Sequence, residues 1–176
     1  MIPNSILKNI NDSFIDDLSN NYSFDIRSLN FDCVLVLPHS SFVEKIGSKY
    51  FKNIYSLILE SLLNRFENIG VKYHPRENSG DFLEIDNDVV KLIPNSIPLE
   101  LVWISLMKNP PLIVIGDIST GLLTCNLVFK NKTSIISTAN ILDVPVEYNL
   151  VQFFDNIGVE MPMNITEFYK TINKIS

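Results

Sequence analysis

The chain has 176 residues, 46% of them hydrophobic and 19% charged, and a net charge of −6 at pH 7. That is enough for one α/β domain with a real core, or two very small ones, and it excludes a disordered chain. The acidic balance excludes a general nucleic-acid binder, which carries a basic footprint, and Lys108 and the prolines interrupt every apolar run before it reaches membrane-spanning length.

Residues 1–30 are rich in Asn, Ser and Asp, with Ile6, Ile10, Phe14 and Leu18 at the spacing of one helical face. They read as a lead-in segment that packs on something else. Met1 to Phe14 lacks the basic region and apolar core of a secretory signal. A boundary is expected near residue 30, with a single domain over 31–176. Phe31 to Leu37 is an apolar, β-rich run closed by Pro38 and is expected as the first buried strand. Lys49 to Ile69 places Tyr50, Ile54, Leu57, Ile58, Leu62 and Phe66 at helical spacing. Gly70 is expected to cap that helix, and Val71 to His74 to form strand two. Asn78 to Asp88 is acidic and turn-like. It lacks the glycine and the closing Glu of a calcium loop, so a solvated loop is expected.

Val89 to Ile93 is expected as strand three, followed by a helix opened by Pro98, a residue favoured in the first turn. Leu112 to Ile115 is the most strand-like run, and Gly116 to Gly121 turns the chain into a helix over Leu122 to Phe129. Thr133 to Ser137 is strand five, and helices near 150–157 and 166–175 close the chain. Strands alternating with helices imply a Rossmann-like parallel sheet flanked by helices. Cys33 in a strand-like run and Cys125 in a helical one read as reduced core thiols of a cytoplasmic protein, at most peripheral to a membrane.

Three signals fall at strand ends or helix starts, where open parallel sheets bind ligands. His74, in Tyr73-His74-Pro75-Arg76-Glu77, stands where Pro75 stops strand two, because proline lacks an N–H and fixes φ. Lys72 and Arg76 beside it suggest a phosphate-bearing ligand. Glu100, in Pro98-Leu99-Glu100, is a carboxylate in a first helical turn. The helix dipole favours it there, and a carboxylate there can also accept hydrogen bonds from ribose hydroxyls. Ser119-Thr120 opens the next helix, where unpaired N–H groups favour either ordinary capping or an anion. No lysine follows the glycine, so this is not a Walker A loop.

Taken in order, these motifs resemble the nucleotide-binding half of bacterial sialyltransferases, most nearly the lipooligosaccharide sialyltransferases of glycosyltransferase family 52. That group carries a His-Pro motif, a later Pro-x-Glu and a Ser-Ser/Thr pair. The resemblance covers about residues 31–140. It implies the C-terminal half of a GT-B-type enzyme, with CMP-sialic acid as donor substrate and no further cofactor or metal. His74 and Pro75 would meet the donor phosphate, His74 would also protonate departing CMP, Glu100 would hold the ribose, and Ser119 and Thr120 the phosphate. Transfer would be inverting, to a galactose-terminated glycan of lipooligosaccharide or capsule. The family's catalytic base is an acidic pair upstream of His-Pro. In the corresponding segment, Leu37 to Gly47, the one acid is Glu44, the candidate base, with an exposed loop position as its alternative.

The resemblance also implies an N-terminal domain that carries the acceptor site. The expected alternatives are therefore a chain that is truncated, split or degenerate, completed by a missing half or by homodimer formation. Two other functions compete: a non-catalytic nucleotide-binding half, and a polysaccharide transferase using a different nucleotide sugar.

Overall fold

The computed structural model describes residues 12–22, 24–77, 81, 83–85, 87–145 and 147–175. Five parallel strands form one sheet: β1 (Cys33–Val36), β2 (Ile69–Lys72), β3 (Val90–Ile93), β4 (Ile113–Gly116) and β5 (Ser134–Ser137), in the order β3-β2-β1-β4-β5. The helices are α1 (Asp12–Tyr22), α2 (Ser40–Ile46), α3 (Ser48–Leu63), α4 (Leu99–Ser105), α5 (Thr120–Phe129), α6 (Tyr148–Asn156) and α7 (Ile165–Ile172). This is the Rossmann-like α/β sheet expected from the alternating pattern.

Each central strand buries both faces, and its alternation divides the core in two. Cys33, Leu35 and Leu37 point into a cluster with Phe51, Tyr55, Ile58 and Leu62 of α3 and Phe168 and Ile172 of α7. Val34 and Val36 point the other way, toward Trp103 of α4 and Leu122, Cys125 and Phe129 of α5. Both cysteines are free and buried, and burial pushes both thiols up. Ile26 and Leu29 are buried in the second cluster beside Phe31, so this part of the lead-in contributes to the core. Ile6 and Ile10 lie outside the described residues.

Two local expectations are corrected. Gly70 does not cap a helix: α3 ends at Leu63 with Asn64 as its cap, and Gly70 lies inside β2. The ring of Phe31 packs on it so closely that a Cβ there would lie 2.9 Å from the ring carbons, so only glycine fits. Strand two accordingly starts at Ile69 and ends at Lys72, which leaves Tyr73 and His74 in the loop. The segment after β1 is also not a loop throughout. His39 caps α2 by accepting from the Ser41 N–H, and Gly47, at φ +92°, separates α2 from α3.

Chain order and strand order diverge at β1. The chain leaves β1 for β2 on one side and reaches β4, the neighbour on the other side, only after β3 and α4. The loops after β1 and β4 therefore leave the sheet in opposite directions and open a crevice at their carboxyl ends.

Candidate active site

That crevice is a cavity of about 470 Å³, within the size range of small-molecule sites. Four strand ends supply its walls: Pro38 and His39 after β1, Tyr73, His74 and Pro75 after β2, Asn95 and Ser96 after β3, and Asp117, Ser119 and Thr120 after β4. Leu99, Glu100 and Gly121 complete it from the first turns of α4 and α5. The structure thus gathers His74, Pro75, Glu100, Ser119 and Thr120 into one space. Glu44 stands elsewhere, on the exposed side of α2 and outside the cavity lining.

The two helix starts meet because of Gly121. A Cβ on it would fall 2.5 Å from Leu99 Cδ2, so glycine permits α5 to approach the first residue of α4. The Trp103 indole N–H donates to the Gly121 carbonyl at 3.0 Å and holds that contact. Glu100 is thereby set beside Ser119 and Thr120. Ser119, with extended backbone, caps α5 by accepting from the Leu122 N–H.

The opposite wall is built around Glu77. Its buried carboxylate accepts from the Ser40 N–H at 3.0 Å, which ties the β2 loop to the start of α2. Its N–H donates to the His74 carbonyl at 2.9 Å, and its carbonyl accepts from the Asn95 side chain at 3.1 Å. One residue thus joins the loops after β1, β2 and β3.

The electrostatics of this wall follow from burial. His74 is pushed below the ordinary imidazole range, first by burial and then by His39, Arg76 and Lys72; Glu77 opposes the shift. Lys72 is 1% exposed, and its ammonium donates to the carbonyls of Tyr73 at 3.2 Å and Pro94 at 3.0 Å. Burial brings it down to about 8. Asp117, after β4, is pushed up by burial, against the opposing hydrogen bonds of its own amide and Ser119. The acidic segment beyond is organised by Asp81, whose carboxylate accepts from the Tyr73 hydroxyl and from the Ile85 N–H.

Sequence reasoning passed over His39, Glu77, Asn95 and Asp117 as site residues. For His39 a signal was present: the chain has two histidines, and each adjoins a proline shortly after an apolar, strand-like run. The other three depend on loop-to-loop contacts that no local pattern announces.

A parallel doubly wound sheet with a cavity at its switch point defines an α/β ligand-binding domain of the kind that takes nucleotides. The chain belongs to the alpha-2,8-polysialyltransferase (POLYST) family, whose profile matches residues 27–138, from just before β1 to just after β5. The family places it among sialyltransferases, and so among glycosyltransferases. No curated protein matches the chain. Among the described residues, no helix is long and apolar enough to cross a membrane.

Proposed function

We propose that residues 31–176 form the donor-binding domain of a CMP-sialic acid-dependent sialyltransferase of GT-B type acting in the cytoplasm. The observation that carries this reading is the convergence of His74, Glu100, Ser119 and Thr120 on one cavity in a chain of a sialyltransferase family. Glu100 receives the ribose hydroxyls, and Ser119 and Thr120 receive the phosphate together with the first-turn N–H groups of α5. In the neutral ring of His74, Nδ1 accepts from the Arg76 N–H at 3.2 Å, so the ring proton lies on Nε2 and can be donated to the phosphate.

An inverting transfer is the step these groups suit. The acceptor hydroxyl loses its proton to a base, its oxygen bonds to the anomeric carbon, and the bond from that carbon to the phosphate oxygen breaks. CMP departs with its charge stabilised by His74 and the α5 amides. A phosphate leaving group is already activated, so this chemistry requires no metal. The family's α-2,8 linkage favours a sialic acid-terminated acceptor over the galactose-terminated glycan of a lipooligosaccharide enzyme.

A second reading is favoured by the position of Glu44, exposed on α2 and away from the cavity. In that reading the chain binds donor, and the acceptor base comes from a second copy or another polypeptide. Calorimetric titration with CMP, UDP and GDP tests the shared premise: CMP should bind most tightly, and a preference for UDP or GDP would mean another nucleotide sugar. Incubating the chain with CMP-sialic acid and sialyl- or galactosyl-terminated acceptors then separates the readings. Binding without transfer supports the second.

A further inference from the structure

The cavity contains a second imidazole that neither the motifs nor the family reading uses. The rings of His39 and His74 lie with centroids 5.0 Å apart and planes at 81°, edge to face, and both residues line the cavity. Both are held by the same local device. His39 Nδ1 accepts from the Ser41 N–H at 3.1 Å, with the Ser41 hydroxyl also 2.8 Å away. His74 Nδ1 accepts from the Arg76 N–H at 3.2 Å. A backbone amide can only donate, so in each neutral ring Nδ1 is the acceptor and Nε2 carries the proton. Each loop therefore satisfies one ring nitrogen and turns the other away from its own backbone.

Two imidazoles in contact repel once both are protonated, and the buried Glu77 carboxylate, which accepts from the Ser40 N–H, offsets only part of what burial and the cationic neighbours do to His74. The other charged neighbours of the pair, Lys72 in the cavity lining and Arg76 beside His74, are cationic, and Glu100 and Asp117 line the cavity from the start of α4 and the β4 loop. This wall sets two ring N–H donors among cationic groups, with Glu77 as the acid that binds its loops together.

We propose that His39 and His74 form a two-imidazole clamp on the phosphate of the bound nucleotide, each donating from Nε2. The proposal rests on the donor-site reading above and adds a residue to it. Ring N–H groups that each reach about 2.8 Å to an anion oxygen can embrace one tetrahedral phosphate across a separation of this size. The clamp joins the β1 and β2 loops over the ligand, opposite Ser119 and Thr120. His39 thus serves as helix cap through Nδ1 and as ligand donor through Nε2.

These two duties can be separated. His39→Asn keeps an N-cap acceptor and loses Nε2, whereas His39→Gln keeps a reaching amide N–H and weakens the cap. With only two histidines in the chain, the two imidazole Cε1 protons give two assignable NMR signals, identified by the loss of one in His39→Asn. Titrating the full chain with CMP, cytidine and inorganic phosphate should move both signals with CMP and phosphate and neither with cytidine. His39→Asn should bind CMP about tenfold more weakly and cytidine unchanged, and His39→Gln should recover part of the loss. Movement of the His74 signal alone, or unchanged CMP affinity in a folded His39→Asn, would overturn the clamp and leave the donor-site reading intact. If phosphate moves both signals and CMP does no better than phosphate, the clamp stands and the nucleotide reading fails. If no ligand moves either signal, both fail.

Discussion

The two walls of the cavity are built on opposite electrostatic principles. The wall from the β1 and β2 loops carries His39, His74 and Lys72, with Arg76 close behind His74, fastened together by Glu77. The wall from the starts of α4 and α5 carries Glu100, Asp117, Ser119 and Thr120, fastened by the Gly121–Leu99 approach and the Trp103 indole. Burial moves the titrating groups of both walls toward neutrality: Lys72 and His74 downward, Asp117 upward. A cavity arranged this way is poised for a ligand that brings an anion to one side and hydroxyls to the other. A nucleotide has that polarity. The difference also predicts that the basic wall governs phosphate and turnover, while the acidic wall governs nucleoside recognition.

The comparison is tested most severely at His74. His74→Ala removes the ring proton aimed at the phosphate, and the expected loss in transfer rate is roughly 100- to 10,000-fold, the usual scale for a general acid. CMP affinity should fall far less. Turnover equal to wild type in a folded variant would take His74 out of the mechanism.

Lys72 comes next, read through pH. Its folded pKa, about 8, lies below the unfolded value, so between these two values the unfolded chain holds a proton that the folded chain has released. Stability from this group therefore rises as pH increases from about 8 toward the ordinary lysine range, and the cost of burying the ammonium is greatest below 8. Denaturant midpoints of the wild type should rise over that window relative to Lys72→Met. An anionic ligand should reverse the preference by causing Lys72 to take up a proton from the buffer, visible in calorimetry as a buffer-dependent heat near pH 8. Parallel stability profiles for the two proteins would show that the ammonium is not held against its charge.

Much of this was legible in the chain, and the parts that were not share a cause. His74 and Ser119 could be found because a proline ending a strand and a hydroxyl opening a helix are local statements. The parallel sheet followed from alternating periodicities in the same way. Gly70 was misread because a glycine after a helical run has the local appearance of a cap; its real reason is the ring of Phe31, distant in sequence and stacked on it. Helix α2 was passed over because histidine is an unusual cap and the segment is only seven residues long. Lys72 could be seen as a basic neighbour of His74, but its burial against the Pro94 carbonyl could not. Glu77 is another case of this kind: a carboxylate after His-Pro-Arg reads as surface charge until the β1 loop is placed over it.

On the acidic wall, Glu100→Gln should leave the fold nearly intact, since the side chain is exposed in the first turn of α4. Binding of both CMP and cytidine should weaken by roughly 1–3 kcal/mol, the scale of a hydrogen bond to a charged group. A loss confined to CMP would assign Glu100 to the phosphate rather than the ribose and would blur the division between walls.

The smallest effects are expected at Ser119 and Thr120, and they decide whether this pair belongs with the phosphate. Ser119 has two roles to disentangle, because its hydroxyl caps α5 through the Leu122 N–H and also bonds to Asp117. Ser119→Ala should therefore lose about 0.5–2 kcal/mol of stability, as N-cap removals do. Thr120 is exposed at the first position of α5, and Thr120→Ala should stay within about 0.5 kcal/mol of wild type in stability. Each variant should weaken CMP by roughly 0.5–1.5 kcal/mol, the net value of a neutral hydrogen bond, with cytidine unaffected. Thr120→Ala is the cleaner of the two, since no change in the helix accompanies it. If CMP and cytidine weaken together, the pair acts through the shape of the α5 start, and phosphate recognition falls to the imidazole wall alone.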